Sequence, residues 1–214
     1  MPKKDGSDLK VCALDPGVRT FNTAVDSGGH VHEFAPGDIG RIYRLCSHME
    51  KLQGRAFDKN VKSKQRCRRK RAWHRMIRRI KNLITDVHKK SIELLCSSYD
   101  VIFVPEFKTS NMCRRASRKI GSKTSRATMT WSHYGFRRVL KSKAVEAGTR
   151  IVIVTEGFTS KTCSCCGFLH TKLGSAKVYS CPSCGIVMDR DENGARNILM
   201  KSIVEQGMTI SYTT

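Results

Sequence analysis

The sequence predicts an α/β layer fold with a mixed sheet flanked by helices, and three observations predict it. Short apolar runs ended by turn residues open the chain, helical and strand-like periods then alternate, and a cysteine-rich insert precedes a last amphipathic helix. Val11-Cys12-Ala13-Leu14, closed by Asp15-Pro16-Gly17, is a buried strand and a turn. Phe21 to Val25 and His30 to Phe34, separated by Asp26-Ser27-Gly28-Gly29, read as a hairpin, so the first three strands form a meander. The period then changes: Ile42, Leu45/Cys46, Met49 and Leu52 recur at helical spacing. So do Trp73, Met76/Ile77, Ile80, Leu83/Ile84, Val87 and Leu94/Leu95, in a long second helix whose Arg75, Arg78, Arg79 and Lys81 fall off the apolar stripe. Val101 to Val104 is another buried strand, and residues 111 to 130, rich in Ser, Thr, Arg and Lys, read as a mobile loop. Phe136, Val139/Leu140, Ala144 and Ala147 make a helix closed by Gly148, and the strand Ile151 to Val154 follows. After the insert from Thr159 to Met188, a helix starts near Asp191 with Ala195, Ile198/Leu199 and Ile203 on one face.

The 214 residues suffice for one well-filled core or a domain plus a small module. No apolar run approaches the ~18 residues of a membrane span, and the N-terminus lacks the apolar stretch of a signal peptide. An intracellular protein with no membrane partner is expected. The dominant feature is charge: 40 Lys and Arg against 18 Asp and Glu, a net of +22. Residues 54 to 90 carry a net +13 and residues 108 to 143 a net +11, which leaves the rest at −2. The two basic segments flank the strand that leads to Glu106, the distribution expected of a chain whose partner is a nucleic acid. A solvated helix face, or a nuclear-localisation stretch at Lys64 to Arg71, is the plainer explanation of such a run.

Ten cysteines in an intracellular chain argue for metal binding or burial rather than disulfides. Cys163-x-x-Cys166 and Cys181-x-x-Cys184, each followed by a glycine, have the spacing of two knuckles that complete a tetrahedral four-thiolate Zn²⁺ site. Such a closed site is structural. Cys165 competes with Cys166 as ligand, His170 is a weaker candidate, and a redox motif is the alternative for either pair alone.

Three acids stand where an acid is costly. Asp15 ends the first apolar strand, Glu106 follows the second, and Asp191 opens the final helix. Converging there they would need a cation. A divalent metal held by such carboxylates, with water and phosphate completing its shell, is the arrangement of two-metal phosphodiester hydrolysis. Each acid also has an ordinary role: Asp15 in a turn, Glu106 as a partner for Lys108, Asp191 as an N-cap.

Four ordered motifs carry a resemblance. Leu14-Asp15-Pro16-Gly17-Val18-Arg19-Thr20-Phe21, then Val104-Pro105-Glu106-Phe107 with Ser110-Asn111-Met112, then Thr159 to Gly167, then Tyr179 to Gly185 leading to Arg190-Asp191-Glu192-Asn193-Gly194-Ala195-Arg196-Asn197-Ile198 resemble the OrfB/TnpB transposon-encoded proteins and their Fanzor relatives. The resemblance implies an RNase H-like RuvC nuclease fold with a zinc ribbon inserted before the third catalytic motif. It implies Asp15, Glu106 and Asp191 as ligands of catalytic Mg²⁺, or Mn²⁺ in its place, and an RNA-guided DNA endonuclease as the activity. DNA and guide RNA would be the partners, in a nucleoid or nucleus. Nucleic-acid contacts are expected at Arg68, Arg69, Arg71, Arg75, Arg78, Arg79 and Lys81 on the long helix, and at Arg114, Arg115, Arg118, Lys119, Lys123 and Arg126 in the second basic segment.

The expected organisation is a nuclease core over residues 1–158 with basic helices inserted at about 39–98, a zinc ribbon over 159–188, the last motif and its helix over 189–206, and a tail over 207–214. Family members carry recognition domains ahead of the first motif, whereas 14 residues precede Asp15 here, so the chain is expected to be the nuclease half alone. The second motif differs mildly from the commoner Glu-Asp/Asn-Leu form through Pro105 and Phe107. Two other functions fit the same features: a nucleic-acid-binding zinc-ribbon protein without significant catalysis, and a DNA transposase or recombinase.

Overall fold

The first apolar run becomes the central strand of the sheet. The computed structural model describes residues 9–107, 109–114, 120–155, 159–171, 173–174 and 176–208. In it β1 (Val11–Pro16) pairs antiparallel with β2 (Asn22–Asp26) and parallel with β4 (Val101–Pro105). With β3 (Val31–Phe34) and β5 (Arg150–Val154) the order is β3-β2-β1-β4-β5, a mixed sheet that begins with the expected meander.

Strand alternation sends side chains to two layers. Val11, Ala13, Val101 and Phe103 pack on Ala195, Ile198 and Leu199 of α6 (Arg190–Glu205). Cys12, Leu14, Ile102 and Val104 face the opposite layer, built by α1 (Asp38–Ala56), α2 (Ser63–Ser98), α4 (Ser122–Trp131) and α5 (His133–Ala147). Apolar side chains on both faces make β1 and β4 near-continuous hydrophobic runs.

The long helix is longer than its apolar stripe required. The 36 residues of α2 span about 54 Å at 1.5 Å each, and the part that enters the core begins at Met76, partly buried, and continues through the buried Ile80, Ile84, Ile92 and Leu95. The preceding turns pack on the end of α1 instead. Phe57 meets the Trp73 ring edge-on at 5.2 Å, Lys70 lies over Phe57, and the Arg69 guanidinium donates to the Arg55 carbonyl at 3.2 Å.

One expectation is overturned. Much of the segment read as a mobile loop is helical, with α3 (Thr109–Cys113) and α4 (Ser122–Trp131) in it; residues 115–119 lie outside the described residues. The stripe that α4 buries is Ser125, Ala127, Thr128 and Trp131, too small and polar to register as hydrophobic. Thr128 and Thr130 return their hydroxyls to the carbonyls four residues back, at 3.0 and 2.8 Å, so the helix absorbs their polarity itself.

Beneath the turn between β1 and β2, Phe21 collects four rings: His88, Trp131, His133 and Phe136, each with its centroid 5.0 or 5.1 Å away. Burial lowers the pKa of His88 and pushes that of His133 down to about 3. The unfolded chain therefore takes up protons below about pH 6.5 that the folded chain refuses, so their contribution to stability is complete above that pH and is lost as the pH falls toward 3. Urea denaturation should show stability falling by on the order of 1–3 kcal/mol between pH 7.5 and 5. His88→Gln, which keeps a donor for the Trp131 carbonyl that His88 holds at 2.8 Å, should make that fall shallower.

Candidate functional site

The parallel register Val11↔Val101 through Ala13↔Phe103 brings the ends of β1 and β4 side by side, so Asp15, near the end of β1, and Glu106, just after β4, stand at the same end of the sheet on strands about 4.8 Å apart. The helix α6 begins there too. Its N-cap is Asp189, whose carboxylate accepts the Asp191 N–H at 2.8 Å. The capping role considered for Asp191 thus belongs to Asp189, and the Asp191 carboxylate turns toward β1.

Two glycines make room for this. The Asp191 Oδ2 lies 3.6 Å from where a Cβ on Gly17 would stand, and the Asp15 Oδ2 lies 2.5 Å from where a Cβ on Gly194 would stand. Each aspartate is seated against a glycine of the other's segment. Burial is the main cause that raises the Asp191 pKa, with Asp189 adding to it, while Arg190, Lys177 and Arg19 oppose the shift. A half-buried carboxylate held above its ordinary range gains from a cation beside it, and hard oxygen donors suit a divalent one. Glu106 is exposed at the neighbouring strand end. Among the described residues only the four cysteines gather ligand atoms within 4.8 Å of one another.

The four sulfurs do close up. Cys163 and Cys184 are 3.7 Å apart at sulfur, Cys166 and Cys181 3.6 Å. A tetrahedron with metal–sulfur bonds of about 2.3 Å has edges of about 3.8 Å, so the set fits a four-thiolate metal site. The knuckles are alike: Gly167 and Gly185, at φ 76° and 73°, return their N–H groups to Cys163 and Cys181. Backbone N–H groups, first that of Cys184, lower the pKa of the Cys181 thiol. Cys165 is exposed and outside the set, and His170 rests edge-on against Tyr179. The antiparallel pair β6 (Val178–Ser180) and β7 (Val187–Asp189) carries the second knuckle straight into α6.

Two residues to which the sequence reading assigned no role tie knuckle to helix. The Asn193 side chain accepts the Ser164 N–H at 2.9 Å and donates to the Thr162 carbonyl at 2.8 Å. Asn197 donates to the carbonyls of Thr159 and Thr162 at 2.8 and 2.7 Å. The i, i+4 recurrence of asparagine beside the apolar stripe of α6 was the available signal.

Of the expected nucleic-acid contacts, Arg68, Arg71, Arg75, Arg78, Arg79 and Lys81 are exposed along α2, and Arg114 is exposed after α3. Arg69 is half-buried against the α1 terminus. Lys123 and Arg126 are also exposed, Lys123 lying over the Tyr43 ring and Arg126 paired with Glu50. Arg115, Arg118 and Lys119 lie outside the described residues. No helix among those described is long and apolar enough to cross a membrane.

Residues 133–198 match the family described as Cas12f1-like, TNB domain. The TnpB-like protein L79 of Acanthamoeba polyphaga mimivirus is 33% identical over 191 residues, 88% of this chain and 36% of that protein. The CRISPR-associated endodeoxyribonuclease Cas12f1 of Sulfoacidibacillus thermotolerans is 34% identical over 81 residues, 37% of this chain and 19% of that protein. A cryo-EM structure of a Cas12f1-sgRNA-target DNA complex shares the fold, with a TM-score of 0.61 at 17% identity over 92% of this chain and 51% of that one. The chain thus spans little more than a third of L79. Identity of 33% sustained over 88% of the chain reflects common descent rather than shared architecture alone, and the chain is a member of the TnpB/OrfB family.

Proposed function

We propose that the chain is the phosphodiester-cleaving part of a TnpB-type DNA endonuclease, acting with divalent metal at Asp15, Glu106 and Asp191 and under the direction of a guide RNA. The observation that carries the reading is the reciprocal seating of Asp15 against Gly194 and of Asp191 against Gly17, at the end of the sheet where Glu106 also emerges. Carboxylates are placed this way at the cost of desolvation, and a bound cation offsets that cost. The relative Cas12f1 is named as an endodeoxyribonuclease, and the solved complex that shares the fold holds guide RNA and target DNA.

Bound Mg²⁺ or Mn²⁺ would supply an activated water and a counter-charge for the leaving oxygen. The chain's own residues do the rest. Asp15 and Asp191 hold fixed positions because β1 and α6 are locked together through their glycines. Arg19, exposed after the β1 turn and close enough to act on Asp191, offers a positive rim to an incoming phosphate. The exposed arginines of α2 neutralise backbone phosphates without reading sequence. The four thiolates hold Zn²⁺ as a closed structural site and, through Asn193 and Asn197, fix the start of α6.

Asp191→Ala should abolish Mg²⁺-dependent cleavage of DNA, and a variant that cuts as well as the parent removes the proposal. Gly194→Ala places a methyl where the Asp15 carboxylate lies, so cleavage should fall on the order of 10–100-fold while the protein stays folded; strand-transfer products from a labelled donor would instead assign the chain to transposition.

Metal analysis should find one zinc per chain. Cys181→Ser should bind less than one and melt earlier, because part of the ribbon's stability is the free energy of metal binding. A parent that remains fully folded in chelator with no zinc refutes the structural site.

A further inference from the structure

The end of the sheet is also held from the side opposite α6, by the corner between α4 and α5. Ser132 turns that corner in the left-handed region, at φ 53°. Just before it, the fully buried Trp131 donates its indole N–H to the Val18 carbonyl at 2.9 Å; just after it, His133 Nε2 donates to the Gly17 carbonyl at 3.1 Å. One helical turn further along α5, the Arg137 guanidinium donates to the Glu106 carbonyl and lies 3.5 Å from that of Pro105. Carbonyls past a strand end lose their ladder partners and need others when they are shielded from water. Here one corner supplies donors to both strand ends, two and three residues after Asp15 and at Glu106 itself. Phe107 adds a further sign of constraint. Its φ of +31° is unusual for a residue with a side chain, and its ring stands edge-on to His133 at 5.0 Å, so the abrupt bend after Glu106 is packed against the same corner.

We propose that Trp131, His133 and Arg137 are positioning residues that set the two acid-bearing strand ends relative to each other. His133 and Trp131 act on Asp15 through the turn that follows it, and Arg137 acts on Glu106 through its backbone. The inference rests on the reading of Asp15, Glu106 and Asp191 as metal ligands and adds the part that holds two of them in register. Both contacts come from Nη1 of Arg137, and the planar guanidinium holds that nitrogen in a fixed direction, whereas a lysine ammonium is a point charge on a flexible stem.

The test compares Arg137→Gln and Arg137→Lys with Arg138→Gln, which removes the same charge from the exposed neighbour. Arg137 is half-buried, so its variants should remain folded. Arg137→Gln should weaken Mn²⁺ binding, read from the electron spin resonance of the free ion, by about 10-fold and lower kcat for DNA cleavage by about 10–100-fold with KM little changed. Arg137→Lys should fall between it and the parent, and Arg138→Gln should match the parent in both metal affinity and kcat. Amide hydrogen exchange gives an arm independent of activity. The Glu106 amide, bonded to the Val154 carbonyl at 3.1 Å, should exchange faster in Arg137→Gln, and the Gly17 amide, bonded to Phe21, faster in His133→Leu but not in His133→Gln. Parent-like exchange at these amides in folded variants overturns the brace. A parent that binds no Mn²⁺ and cuts no DNA overturns the metal-ligand reading instead, and exchange then decides the brace alone.

Discussion

The structure depends on how closely the first turn of α6 lies against the end of β1. A carboxylate oxygen 2.5 Å from the site of a missing Cβ means that any side chain at position 194 must displace the Asp15 carboxylate, and the neighbouring residues support that contact. Asp189 must cap the helix so that the Asp191 side chain can face the strand. Ala195 and Ile198 must bury against Val11 and Ala13 to hold the helix down. Asn193 and Asn197 fasten the same helix to the first cysteine knuckle, both through the Thr162 carbonyl. The four-thiolate site is therefore more than a separate small domain. It lies at the other end of a short rigid path, from sulfur to knuckle to asparagine to helix, that ends at the Asp191 carboxylate.

Charge is arranged by distance. The exposed arginines of α2 lie on the half of the helix that extends past the sheet, beyond His88, which sits at the site end through its bond to the Trp131 carbonyl. Arg79 is nine residues from His88, about 14 Å along the axis, and Arg68 about 30 Å, at 1.5 Å per residue. The cations that act on Asp191 are local ones, Arg190, Lys177 and Arg19, on other elements than α2.

The legible parts of the sequence are those in which one physical demand dominates. The buried strands are visible because Val11 to Leu14 and Val101 to Val104 are apolar on both faces. The thiolate site is visible because two knuckles leave little freedom in spacing. The residues that assemble the candidate site are less visible, because each meets a demand set by a distant neighbour. Gly194 is there for Asp15, the two asparagines for carbonyls some thirty residues earlier, and Trp131 for a carbonyl 113 positions away. The helix α4 escaped notice for another reason. Its contact face is made of Ser125, Ala127 and Thr128, which pack by being small, so hydrophobic periodicity is blind to it.

His133 illustrates how one side chain can serve both the core and the site. Its Nε2–H donates to the Gly17 carbonyl, its ring stacks on Phe21, and its Nδ1 is buried with no partner among the described residues. The neutral tautomer with the proton on Nε2 satisfies this environment, since a bare acceptor nitrogen in an apolar setting costs less than an orphaned N–H. Protonation would put that second N–H, and a charge, into the centre of the aromatic cluster. The same burial that depresses the histidine thus fixes which nitrogen donates, and with it the position of the turn after Asp15. The geometry of the acids is in this way coupled to the packing around Phe21, on the face of the sheet opposite the helix that carries Asp191.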